Sequence, residues 1–477
     1  MSTPSTTTAS PSAPPDGSTR LGAALLVIVA AYLMVGVDAT VVNVALPDIQ
    51  QDLDFTSTGL SWVLNSYTLA FGGLLLLGGR VGDVVGRRRT LMAGVLLFAG
   101  SSLLGGLATD GAWLLAARSL QGVGAALIAP STLALITTGF PEGPRRHYAL
   151  SVYSSMAGIG ASVGLVLGGM LTDWASWRWA LLINVPIGIA VATALPRFAA
   201  ETPCHAGRFD LAGALTGTAG TTSLVYAFIR VSEAGWSDTQ TLLGFSTAAA
   251  LLAGFLLVES RAEQPILPLR LFADRDRAGA YLGVMLLPAG MFGAFYFLTL
   301  ISQQALGYSP LRAGLAFLPM TLAMFSTVRL VPRMLQLLGA KPVLLTGMTL
   351  VSGAGVWLWR LDASDGYLSG LLGPLLLLGV GVALSLMPLN ATILARVEPR
   401  EAGAASGLLQ TMQWLGGTLG LSILVTVYGT ATRHTTGSPS ETLVEGASHA
   451  FGASALIALT ALLLAALVIT GRKTRAA

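Results

Sequence analysis

Gly79-Arg80-Val81-Gly82-Asp83-Val84-Val85-Gly86-Arg87-Arg88-Arg89 interrupts a chain that is apolar over most of its length. On either side lie apolar runs, at about 57–79 and 90–108, each close to the ~20 residues that carry a helix across a bilayer core. Working outward, the first part of the chain holds six such runs, at about 21–46, 57–79, 90–108, 111–138, 148–172 and 178–196. A polar linker from Arg197 to Asp210 precedes runs at 211–230 and 239–259, and a more charged linker extends from Ser260 to Arg277. Six runs follow, near 278–303, 311–332, 341–360, 366–390, 402–430 and 449–471. The pattern predicts an all-α membrane protein of fourteen transmembrane helices. A six-helix bundle over 21–196 and a second over 278–471 flank a segment, 197–277, with two extra helices expected to pack peripherally.

Composition supports this reading. Hydrophobic residues make up 53% of the 477 and charged residues only 10%, against the ~25% of a soluble chain. Lipid offers backbone amides no partner, so spans of this length are helices; barrel strands would be half as long and alternating. Residues 1–20, rich in Ser, Thr, Pro and Ala, are expected to be a disordered cytoplasmic tail, and 472–477 a second tail. The first run is too long for a cleavable signal and should remain as a span. Cys204 is the single cysteine, which excludes a disulfide framework and any cysteine metal site.

The net charge of +4 does not indicate nucleic acid, because no segment combines a dense basic stripe with interleaved aromatics. Topology explains it. Of the 27 basic residues, all but six fall on the side of the Gly79–Arg89 stretch; Arg178, Arg230, Arg312, Arg360 and Arg433 lie on the other, and Arg118 is inside a span. Positive residues collect in cytoplasmic loops, so both termini are expected in the cytoplasm, and an even number of spans follows.

Two charges sit deep in the apolar runs. Asp38 lies eight residues before the outer end of the first run, and Arg118 seven residues into the fourth from the same face. At a rise of ~1.5 Å per residue both sit about 10 to 12 Å below the outer surface. Buried charges in lipid cost several kcal/mol unless paired, so the two are expected to meet, directly or through Gln121. A carboxylate whose access alternates between the two sides can load and release a proton.

Five groups of residues carry a resemblance. The Gly79–Arg89 stretch, read as a cytoplasmic loop, resembles the major facilitator superfamily. Arg118-Ser119-Leu120-Gln121-Gly122 looks like its motif in the fourth helix. Val37-Asp38-Ala39-Thr40-Val41-Val42-Asn43 and Trp177-Arg178-Trp179 through Asn184-Val185-Pro186 resemble signatures of the 14-helix EmrB/QacA-type drug:proton antiporters. Gly160, Gly164, Gly168 and Gly169 resemble the exporters' glycine motif, although Leu165 stands where that motif has proline.

The resemblance implies two pseudo-symmetric bundles that rock about a central site, with Asp38 and Arg118 coupling proton entry to export of drugs, antibiotics or related metabolites. It also implies a conformational latch at Gly79, Gly82, Asp83, Gly86 and Arg87, in which Asp83 pairs with an arginine or caps a neighbouring helix. Asn43, Asn184, Gln303, Gln410, Gln413 and Trp414 are expected to border the substrate path. Interhelical hydrogen bonding explains the amides equally well, plain packing explains the glycines, and an interfacial belt explains Trp177 and Trp179.

No metal or cofactor is expected: the proton gradient supplies the energy. The partners are protons, a small molecule of neutral or weak charge and the lipid of a bacterial cell membrane, with the chain acting as a monomer. Because of Leu165, an importer or uniporter of the same fold stays open. A membrane-embedded enzyme would need clustered acids, histidines or serines at matched depth, whereas His147, His205, His434 and His449 all fall in or beside loops.

Overall fold

A computed structural model describes residues 16–141, 143–199, 201, 210–262, 269–395, 397, 402–433 and 438–469. Residues 1–15 and 472–477, and with them most of both expected tails, lie outside the described residues, as do Cys204, His205 and His434.

The described chain is helical from end to end. The first part comprises α1 (Asp16–Asp52), α2 (Trp62–Val85), α3 (Arg87–Gly106), α4 (Gly111–Gly139), α5 (Pro144–Trp174), α6 (Arg178–Leu182) and α7 (Asn184–Phe198). Next come α8 (Leu211–Ala234) and α9 (Thr239–Arg261). The last part comprises α10 (Arg275–Leu300), α11 (Pro310–Ala316), α12 (Leu318–Leu338), α13 (Ala340–Trp359), α14 (Leu372–Leu394), α15 (Ala402–Thr432) and α16 (Pro439–Val468). Asp or Ser side chains cap α4, α8, α9, α10, α11 and α16, accepting from the orphan amides of the first turn.

Two expected spans are broken. Pro186 and Pro319 lack the amide that would continue the ladder, and the α6–α7 and α11–α12 pairs part a few residues upstream, at Ile183 and Phe317. The first helix starts at Asp16 rather than after residue 20.

Among the described residues, twelve helical segments are long and apolar enough to cross a membrane. Two helices of the expected fourteen are not among them. In α5 the described apolar stretch is Ile159–Trp174, and α8 is rich in Thr and Gly. Lipid is still required by what faces outward: Leu337 is 82% exposed and Leu467 72%, on helices with no aqueous reason to carry them.

The packing repeats. In the first part α1 lies on α5, α2 on α4, and α3 on both α4 and α7; in the last part α10 lies on α15, α12 on α14, and α13 on both α14 and α16. The same pairings in the same order make two pseudo-symmetric bundles. Their reversals match too: Gly86 (φ +109°) turns α2 into α3, and Gly339 (φ +83°) turns α12 into α13.

One expectation about the extra helices is corrected. Only α9 is peripheral, whereas α8 packs on both α2 and α15, with Val225 and Ile229 buried beside Leu69 and Leu419. Thr426 of α15 and Arg433 just beyond its end donate to α8 carbonyls at Phe228, Val231 and Ser232. Small residues cause this: Gly73 on α2 and Gly429 on α15 let Thr218 and Ser232 approach until no Cβ would fit.

Candidate functional site

The two deep charges meet. Arg118 Nη1 donates to Asp38 Oδ2 at 2.6 Å, with the side chains 1% and 0% exposed. Burial of this depth demands further partners, and they come from α2, α3, α4 and α7. Gln121 Nε2 donates to Asp38 Oδ1 at 3.1 Å and to Ser102 Oγ at 2.7 Å, while its Oε1 accepts from Arg118 at 3.0 Å. Asn184 Nδ2 donates to Asp38 Oδ1 at 2.8 Å from the break between α6 and α7. Arg118 Nε donates to the Val63 carbonyl at 3.1 Å, and its guanidinium carbon lies 4.4 Å from the Tyr67 ring centroid. Five spans thus converge on one carboxylate.

Glycine makes the convergence possible. A Cβ on Gly122 would stand 2.3 Å from the Tyr67 carbonyl, so only glycine lets α4 press against α2 and deliver Arg118 there. The α5 glycines serve α1 in the same way: Gly160 packs on Gly36, Gly164 on Val37 and Thr40, and Gly168 on Val41, bracketing Asp38. Gly169 instead meets Pro310 and Leu311 of the other bundle. Leu165 is buried with its carbonyl against Gly314. At Gly164 a Cβ would lie 2.1 Å from Thr40 Oγ1 and 2.6 Å from the Val37 carbonyl. Gly164→Ala is therefore expected to push α1 off α5 and cost about 1–3 kcal/mol, the usual range for overpacking. A thermal-unfolding midpoint in detergent unchanged from the wild type would contradict that packing.

Beside the cluster lies a cavity of about 190 Å³. It is bordered by α1, α2, α4 and α5 on one side and by α10 and α15 on the other, so it straddles the two bundles. Arg118 borders it and Asp38 sits behind Arg118. Of the six residues expected along a path, Asn43, Gln410 and Trp414 line the cavity. Asn184 belongs to the Asp38 cluster. Gln413 is half-buried on α15 outside the lining. Gln303 is elsewhere: its Nε2 donates to the Val44 carbonyl at 2.8 Å, Gln304 donates to Gln50 at 3.1 Å, and Tyr296 donates to the Ser57 carbonyl at 3.0 Å. These bonds fasten the bundles together at the end of the molecule remote from Gly79–Arg89.

That stretch is not the loop expected. The α2 helix runs through Val85, only Gly86 is non-helical, and α3 begins at Arg87, because one glycine at positive φ suffices to reverse the chain. The stretch closes on itself: Arg87 pairs with Asp83 and donates to the Gly79 carbonyl at 2.9 Å. Gly82 leaves room for this, since a Cβ there would strike the Arg87 side chain. Asp83 therefore does not cap a helix. Glu201 does, accepting from the Arg88 amide at 2.9 Å and the Arg89 amide at 3.2 Å and lying near both guanidinium groups. Glu201 is the one glutamate in the Arg197–Asp210 linker, which was the available signal, but chain separation hid the partner. Glu201→Gln keeps the shape and removes the charge at an N-terminus, so a stability loss of roughly 0.5–2 kcal/mol is expected in thermal unfolding. No loss at low salt would contradict the cap.

The tryptophans divide. Trp179 is exposed as a belt residue should be, whereas Trp177 is buried and donates to Asp52 at 2.9 Å, beside the Arg178–Asp52 pair at 2.6 Å.

The profile of the Major Facilitator Superfamily matches residues 28–421. The puromycin resistance protein of Streptomyces alboniger is 43% identical over 473 residues, covering 95% of this chain and 92% of its own length. The cephamycin export protein of Amycolatopsis lactamdurans is 40% identical, with 94% and 91% covered. A crystal structure of a peptide transporter in complex with sulfate superposes with a TM-score of 0.67 at 14% identity, covering 95% of each chain, and so shares the fold.

Proposed function

Since the chain belongs to the major facilitator superfamily, a family of membrane transporters, we propose that it exports antibiotic-like small molecules in exchange for protons. One observation carries this reading: a fully buried carboxylate, Asp38, is tied through Arg118 to a cavity bordered by both bundles. Relatives named for puromycin resistance and cephamycin export supply the direction and the kind of cargo.

In the proposed cycle the bundles of residues 21–196 and 278–471 rock against each other about the cavity. Outward opening requires the Gln303, Gln304 and Tyr296 bonds to break. Asp38 then takes up a proton from outside and releases it inside, while the Arg87–Asp83 pair holds the cytoplasmic ends. The Arg bias supports an orientation with both termini in the cytoplasm of a cell whose plasma membrane carries the protein, and in this reading a monomer with no cofactor suffices. The helices α5 and α8 complete fourteen spans in this arrangement.

A growth-inhibition panel including puromycin, lincomycin and a cephamycin, with and without expression, tests the reading. Raised tolerance that collapses when the proton gradient is dissipated is expected; unchanged tolerance to every compound, with the protein present in the membrane, would refute export.

A further inference from the structure

The cavity combines many rings with few polar groups, and two buried polar atoms of its lining residues, Asn43 Oδ1 and the Tyr67 hydroxyl, have no partner. Tyr32, Tyr67, Phe71, Phe292, Phe295 and Trp414 all border it. Trp414 is their hub, with ring centroids 4.7 Å from Phe71, 5.8 Å from Phe292 and 6.4 Å from Tyr67. Such an enclosure favours a flat, polarisable ligand, because offset and edge-on ring contacts add to plain area burial.

The polar groups restrict the ligand further. No carboxylate borders the cavity among the described residues, and Arg118 is its one fixed charge. Arg118 spends Nε and Nη1 on Val63, Asp38 and Gln121, while Nη2 donates to none of the described residues. Asn43 donates through Nδ2 to Ala39, yet its buried Oδ1 accepts from nothing, and the Tyr67 hydroxyl is likewise buried without a partner. Unsatisfied buried groups are costly, so a ligand that supplies an acceptor to the guanidinium and a donor to the amide gains at both. A permanent cation could stack on the rings, but it would face a guanidinium with its own counter-charge already fully engaged.

We propose that this cavity takes an uncharged, flat, ring-fused compound bearing a ring carbonyl and a hydroxyl, with the carbonyl accepting from Arg118 Nη2 and the hydroxyl donating to Asn43 Oδ1. The inference rests on the export reading and deepens it by naming the class of cargo.

The test uses the purified full-length chain in lipid nanodiscs and three probes at mildly acid pH: 2-hydroxyanthraquinone, anthraquinone and ethidium. The hydroxylated compound should bind about tenfold tighter than anthraquinone, the worth of one well-made hydrogen bond, and ethidium more weakly than either. Asn43→Ala should erase the preference for the hydroxyl and leave anthraquinone affinity within about twofold, as expected when one hydrogen bond alone is lost. Ethidium binding as tight as the hydroxyanthraquinone would overturn the proposal, as would equal affinity for the two quinones in the wild type, a comparison that needs no variant. A hydroxyl preference that survives Asn43→Ala in folded protein would overturn the assigned contact. The export reading fails separately: the predicted affinity order with no efflux of any compound from vesicles sinks export alone. Efflux of panel compounds without quinone binding sinks this inference alone.

Discussion

Asp38→Asn is expected to reduce substrate accumulation in acid-loaded inside-out vesicles to the level of empty vesicles. The amide keeps a carbonyl oxygen for Asn184 or Gln121 but carries no titratable proton, so inward proton movement can no longer drive outward substrate movement. Exchange of labelled for unlabelled substrate across the same vesicles should persist, since it needs only the cavity and the rocking of the bundles. That contrast separates lost coupling from lost folding. Accumulation that survives in Asp38→Asn would remove this carboxylate from the coupling path.

Arg118→Ala should be the most destabilising single change in the first bundle. It strips Asp38 of its counter-ion, opens a hole beside Tyr67, and leaves a fully buried carboxylate with only two amide donors, from Gln121 and Asn184. Breaking one partner out of a buried pair costs about 3–5 kcal/mol. A thermal midpoint measured in detergent should fall accordingly, and Asp38→Asn placed in the Arg118→Ala background should recover part of it by removing the stranded charge. If the double variant is no more stable than Arg118→Ala, the pair does not hold these helices as described.

The pair was legible because it is the only deep carboxylate and the only deep guanidinium in the first bundle, and depth can be counted along a helix. Azimuth cannot. Nothing in a single sequence says that Ser102 faces Gln121 or that Asn184 turns toward Asp38, and so Asn184 was expected on the substrate path instead. Gln303 was ambiguous for the same reason: an amide near the end of a span can line a path or reach a neighbouring backbone, and here it reaches Val44.

Glycine punctuation misled in a different way. A stretch with three glycines and four arginines has the composition of a loop, yet only Gly86 adopts a conformation that other residues avoid, and the rest remains helical. The seam position of α8 depends on Gly73 and Gly429 in distant helices, which no local pattern connects. By contrast, the repeat of six runs in each bundle was readable, because bilayer thickness sets run length.

Whether Asp38 carries the proton exchanged for cargo is tested most directly by following external pH around weakly buffered, acid-loaded inside-out vesicles as an exported compound is added. Wild-type vesicles should release protons as the compound accumulates, and Asp38→Asn vesicles should exchange labelled for unlabelled compound and release none. Equal proton release from both proteins would contradict a coupling role for Asp38.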